Sequence, residues 1–364
     1  MRATSSISRT GCSSTATARS ALSWAQRTGE GEQVEPADKP DAPPFKAVEF
    51  QYGLVLLRTK KFLATMDRLG KTRIAGRLGW VMLYLMPLAA AAGVLLLSSE
   101  LGILLFTSRG VEAATSVRAA GPLANLAIPG VNPYLPIVYG WLALVVGLVT
   151  HEAAHGVVAR SLGVPVKSAG LIMFLFIPIG AFVEVDEKAL KAAKPAHSLR
   201  ILAAGVGDNL VVGAVSLLAL VGIVSTMVPA VGGAGYAPLS AIVSRYSSAL
   251  WHNPLLYLCI PTLPACQAVA PYSGALVASY TSPLGGLLVP LANLFYWMFF
   301  LNFSLAIFNA LPIPIFDGGQ AFKIWLRTVV GSRLSERRLS IATRIVYVAV
   351  VALILSVVAV PYLM

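Results

Sequence analysis

The chain has 364 residues, 57% of them hydrophobic and 12% charged, with a formal net charge of +12. Soluble domains carry about 25% charged residues, so this balance excludes an ordinary water-soluble enzyme and indicates a polytopic membrane protein. The basic excess would suit nucleic acid, but its placement along the chain argues for membrane topology and against a nucleic-acid partner.

Residues 1–48 differ from the rest. Before Glu30 they are rich in Ser, Thr and Ala, hold Arg2, Arg9, Arg19 and Arg27 and lack any acid; after it they are rich in Pro and acidic residues. Such a segment is expected to be disordered. Its first part has the composition of an organellar transit peptide, and a plain tail or an over-called start codon are the competing readings.

Spanning a bilayer takes about 20 mostly apolar residues as helix. Residues 78–98, 137–158, 201–228 and 284–311 meet that length, and a fifth stretch runs from Ile345 to the C-terminus. Leu171 to Val183 (LIMFLFIPIGAFV) is too short to span and carries Pro178 and Gly180. The expected fold is therefore a polytopic α-helical membrane protein of about five to six transmembrane helices with a short membrane-embedded β-hairpin or re-entrant segment. Residues 49–364 form its membrane domain, with an outer loop at 229–283 that is too short and too apolar to hold a PDZ module. Cys259 and Cys266 lie in that loop, where a local disulfide and two free thiols are both open.

Lys and Arg cluster at 58–77, 160–200 and 323–344, whereas the intervening loops hold only Arg109 and Arg118, and Arg245. The alternation predicts an integral, multi-pass protein with its N-terminus and basic loops in the cytoplasm.

The second span ends in Thr150-His-Glu-Ala-Ala-His-Gly156, where ionisable groups are expensive. Residues four apart share one helix face, so His151 and His155 present two imidazoles to a common point, the spacing for one zinc ion. Glu152 sits beside the first histidine and suits a general base. The bland alternative is a polar cluster for proton transfer or helix packing in a transporter. A catalytic zinc wants a third protein ligand, and the membrane region offers Glu100, Glu184, Asp186, Asp208 and Asp317. Asp317 stands out because it follows Asn309-Ala-Leu-Pro-Ile-Pro-Ile-Phe. Pro312 and Pro314 stop the helix there, and Gly318 and Gly319 allow a close backbone approach.

HEAAH together with NALPIPIFDGG resembles the site-2 protease family of intramembrane zinc metalloproteases, whose paired signatures are HExxH and NxxPxPxxDG. Gly205-Val-Gly-Asp-Asn209 is similar to the family's GPxxN, with Val206 in place of proline. The resemblance covers about residues 50–364 and implies one Zn2+ per chain held by His151, His155 and Asp317, with Glu152 as base. It implies cleavage of transmembrane protein substrates in or near the lipid bilayer, with the active site towards the cytoplasm and an upstream site-1-type protease as a candidate partner. Asn209 is a candidate donor to the oxyanion, with a helix-packing amide as the alternative. An unwound substrate would pair with an edge strand at Ile177 to Asp186, which makes Gly180, Ala181, Phe182 and Val183, together with Asn309, Pro312 and Pro314, candidate substrate contacts. Of Ala181 and Val183, only one amide is expected to face the substrate. Glu184, Asp186 and Glu187 are read as a solvated strand end.

Two rivals are considered. In prenyl-protein peptidases a downstream glutamate completes HExxH, but after Glu187 only Glu336 remains, within a basic run. A non-proteolytic relative that binds membrane helices as a chaperone or sorting factor would be expected to lack Glu152 or a ligand, and none is missing.

Overall fold

The computed structural model describes residues 47–51, 53–132, 134–174, 177–226, 228–229, 280–331 and 333–364. The expectations for the N-terminal tail, for most of the 229–283 loop and for Cys259 and Cys266 lie outside the described residues. In chain order the elements are β1 (Val48–Gln51), β2 (Leu54–Thr59), α1 (Leu63–Gly70), α2 (Arg73–Phe106), α3 (Ser108–Ala120) and α4 (Ile137–Ser161). Then follow β3 (Val166–Phe174), β4 (Ile177–Val185), α5 (Glu187–Ala192), α6 (Pro195–Ser225), the two-residue strands β5 (Val228–Pro229) and β6 (Tyr280–Thr281), α7 (Leu288–Ala310), α8 (Asp317–Val330) and α9 (Glu336–Leu363).

Among the described residues, α2, α4, α6, α7 and α9 are long and apolar enough to cross a membrane. Their outer faces expose large apolar side chains such as Leu88, Leu95, Leu218 and Val348, surface that water would penalise and lipid tolerates. Local chemistry sets where two of these helices begin. The Thr72 hydroxyl accepts the Ala75 amide at the start of α2, and the Ser335 hydroxyl accepts the Arg338 amide at the start of α9.

Inside the bundle the helices meet through small residues. A side chain at Gly147 would run into Asn302 on α7, and one at Gly207 would run into Met82 on α2. Such close approach is how helices associate where the surrounding lipid is as apolar as the side chains. Val206 and Asn209 on α6, and Trp297 and Asn302 on α7, are fully buried at this centre.

Strands β1 to β4 form one antiparallel sheet in the order β1-β2-β3-β4, which among the described residues leaves β4 as an edge, and β5 pairs with β6. The segment 48–59, which precedes the first basic cluster and overlaps its start, is thus not a simple loop; it pairs through Leu57 with Leu171 of β3. Gly170 is needed at its place, because Phe182 of β4 lies across it. Arg58 on β2 binds Glu49 at 3.0 Å and Glu184 at 2.8 Å, and Ser168 donates to the same Glu184 oxygen at 2.7 Å. Asp186 accepts the Ala189 amide at the start of α5 and pairs with Lys167 at 3.1 Å. That amide and the Lys167 ammonium hold its carboxyl below the ordinary range. Glu184 and Asp186 are therefore engaged in structural contacts.

Candidate active site

HEAAH lies in the last three turns of α4, so His151 and His155 sit about 13 Å and about 8 Å along the helix from its basic end at Arg160. His151 is 5% and His155 8% exposed. Each ring is held from behind. The Nδ1 of His155 donates to the backbone carbonyl of Ile201 at 2.6 Å, and the Nδ1 of His151 faces Asn209 Oδ1 at 2.8 Å. A carbonyl oxygen can only accept, so both protons belong on Nδ1 and both Nε2 atoms present lone pairs.

Those lone pairs converge. The two Nε2 atoms are 3.1 Å apart, and Asp317 Oδ2 lies 3.1 Å from His151 Nε2 and 3.3 Å from His155 Nε2. Three acceptors so close repel one another unless a cation joins them. Ligands at about 2.0–2.1 Å on a tetrahedral zinc are themselves about 3.3 Å apart, so the donor set fits that ion. Among the described residues His151, His155 and Asp317 are the one group of His, Cys, Asp or Glu side chains placed to hold a metal.

The chain folds this way for local reasons. After α7 ends at Ala310, the Pro312 and Pro314 segment runs without helix until Asp317 starts α8. Gly318 and Gly319 lie so close to the carbonyls of Ala310 and Ile313 that a Cβ at either would overlap them. This tight turn carries the carboxylate back to the histidines. Gly205 on α6 plays the matching part, since a Cβ there would collide with both imidazoles.

Glu152, next to His151 on the same helix, reaches the sheet. Its Oε2 accepts the backbone amide of Val183 at 3.0 Å, and the Val183 side chain lies near Gly156. The amide of Val183 therefore points off the free edge of β4. Donors alternate along a strand, so Ala181, two residues away, aims its amide the same way. The expectation that only one of the two faces outward is corrected: residues of the same parity share a side. Phe182 turns to the other face of the sheet, under the Arg58 guanidinium at 5.6 Å.

Asn209 stands behind one of the histidine rings. It is fully buried, its Oδ1 supports Nδ1 of His151, and its Nδ2 finds no partner among the described residues. Its position suits orientation of a ligand ring. Of the other candidates, Gly180 is half-buried on β4, Asn309 is half-buried at the end of α7, Pro314 is exposed, and Pro312 lines an apolar cavity of about 440 Å³ between α2, α6 and α8. The sequence does not reveal the part played by Ile201 or by Gly205. A carbonyl carries no residue signature, whereas the glycine was visible in the third motif.

No solved structure matches the chain. An uncharacterized protein of Methanocaldococcus jannaschii is 29% identical over 294 residues, covering 74% of this chain and 76% of that protein. The model of peptidase family M50 matches residues 139–353, a region that contains HEAAH, β4, Asn209 and Asp317. A match over more than half of the residues, which takes in both motifs, shows that the chain belongs to peptidase family M50, the site-2 protease family of membrane metalloproteases.

Proposed function

We propose that the protein is an intramembrane zinc endopeptidase that hydrolyses peptide bonds in transmembrane segments of membrane-protein substrates. The observation that carries this reading is the convergence of His151, His155 and Asp317 beside Glu152, opposite the free edge of β4. His151, His155 and Asp317 would hold one zinc ion. When bound, zinc supplies a Lewis acid that makes water nucleophilic near neutral pH and polarises a carbonyl.

The remaining work falls to the chain. Glu152 takes the proton of the attacking water and returns it to the leaving amine nitrogen. Asn209 and the Ile201 carbonyl keep the imidazoles in the tautomer that offers Nε2. A helical substrate hides its peptide bonds in its own hydrogen bonds, so it must be held extended. The outward amide and carbonyl of Ala181 can pair with such a segment and lay it past Glu152. In this role Gly180, Ala181, Phe182 and Val183 act through backbone and shape.

We further read the basic ends of α2, α4, α6 and α9 as the cytoplasmic side, which puts the site nearer that face. An organellar membrane follows if the first residues are a targeting segment. Substrates that need a first cut by a site-1-type protease fit a site that accepts only unwound segments.

The test pairs metal content with cleavage. Purified protein in detergent should hold one zinc per chain, and Glu152→Gln should keep it while losing cleavage of a membrane-helix substrate by about a hundred- to ten-thousand-fold. Wild-type turnover in Glu152→Gln would remove this mechanism. Zinc with no cleavage of any helix by the wild type would favour a non-proteolytic helix-binding protein.

A further inference from the structure

Tyr347 stands on α9, the span least buried in the bundle. Its hydroxyl donates to the backbone carbonyl of Gly319 at 2.6 Å, two residues beyond Asp317 in the first turn of α8. On its other side that turn has no slack, because Gly318 and Gly319 press against the carbonyls of Ala310 and Ile313. The same segment is gripped by apolar packing: Leu311, Ile313 and Phe316 sit among Val350, Ile354 and Val357 of α9. The Tyr347 ring also touches Phe322, one turn further along α8. The Asp317 turn is thus clamped between the end of α7 and one side of α9.

We propose that Tyr347 is a positioning residue: through the Gly319 carbonyl its hydroxyl fixes the first turn of α8, and with it the Asp317 carboxylate, against the two histidines. The inference rests on reading His151, His155 and Asp317 as the metal site. A carbonyl has two lone pairs, so Gly319 can accept this bond and keep a helical one. Ligands must be held to within about 0.5 Å of a productive geometry, and an aspartate at the first position of a helix has few bonds of its own to hold it. The bond ties the third ligand to the seat of α9. A shift of that helix in the bilayer would move Asp317 relative to His151 and His155, whose own supports come from α6.

The bland alternative is that a phenol in an apolar place only satisfies itself. Tyr347→Phe separates the two, because it keeps the ring and its contact with Phe322 and removes only the hydroxyl. Ser356→Ala is the control, an exposed hydroxyl on α9 bonded only to Ala352 of its own helix. Zinc affinity would be measured by chelator competition on the full chain in detergent, and amide hydrogen exchange on the metal-free protein. Tyr347→Phe should weaken zinc binding about tenfold or more. It should also speed exchange in residues 317–323 and leave α4 and α6 unchanged, while Ser356→Ala alters neither. Wild-type affinity and wild-type exchange in Tyr347→Phe would overturn the proposal, as would faster exchange spread over the whole bundle. If the wild type binds no zinc, the metal-site reading fails separately, and the metal-free exchange comparison still decides whether Tyr347 holds the turn.

Discussion

The backbone amide of Val183 donates to the carboxylate of Glu152 across 3.0 Å, so the free edge of β4 and the HEAAH helix meet at the candidate base. A strand edge that reaches the base can deliver a peptide to it. This contact makes the sheet part of the site rather than a neighbour of it.

Proline at position 181 removes an outward donor from that edge without touching the amide at position 183. Ala181→Pro is expected to abolish cleavage while zinc stays bound and membrane insertion is normal. Val183→Pro should also impair cleavage, because it frees Glu152 from its amide. Full activity of Ala181→Pro would mean that substrates do not pair with β4.

If recognition runs through backbone hydrogen bonds, the substrate helix must first unwind. Gly or Pro placed near the cleavage position of a model substrate should raise the rate, and reinforcing that helix should lower it. Equal rates for reinforced and weakened helices would reduce β4 to a wall of the cavity.

Asn209→Ala separates orientation of His151 from donation to an oxyanion. Loss of the Oδ1 support should weaken zinc binding about 10- to 100-fold. An oxyanion donor would leave zinc affinity untouched and lower kcat by about a hundred- to a thousand-fold. Chelator competition beside kinetics at saturating zinc distinguishes the two.

Gly205→Ala adds one methyl where both imidazoles already lie. Alanine is the better helix former, so the span itself is not weakened. The variant should insert normally and lose most of its zinc. Wild-type zinc content would show that α4 and α6 can part enough to admit a side chain.

Much of the site is legible along the chain because it is local. The i, i+4 histidines share a face by helix geometry, and the Pro-x-Pro and Gly-Gly flanking Asp317 announce a break and a close approach wherever they occur. The spans are equally plain, since a run of about 20 apolar residues answers to the thickness of the bilayer. Pairing is another matter. Leu57 meets Leu171, and Val183 meets Glu152, through contacts between distant segments whose apolar residues would suit several partners. The support of His155 by the Ile201 carbonyl and of the Asp317 turn by Tyr347 leaves no mark at all, because every residue owns a carbonyl and any tyrosine in an apolar span must find an acceptor. Residue type and spacing determined which groups could do the chemistry. Only the packing of α6, α7 and α9 around them decided which lone pairs face the site and what holds them there.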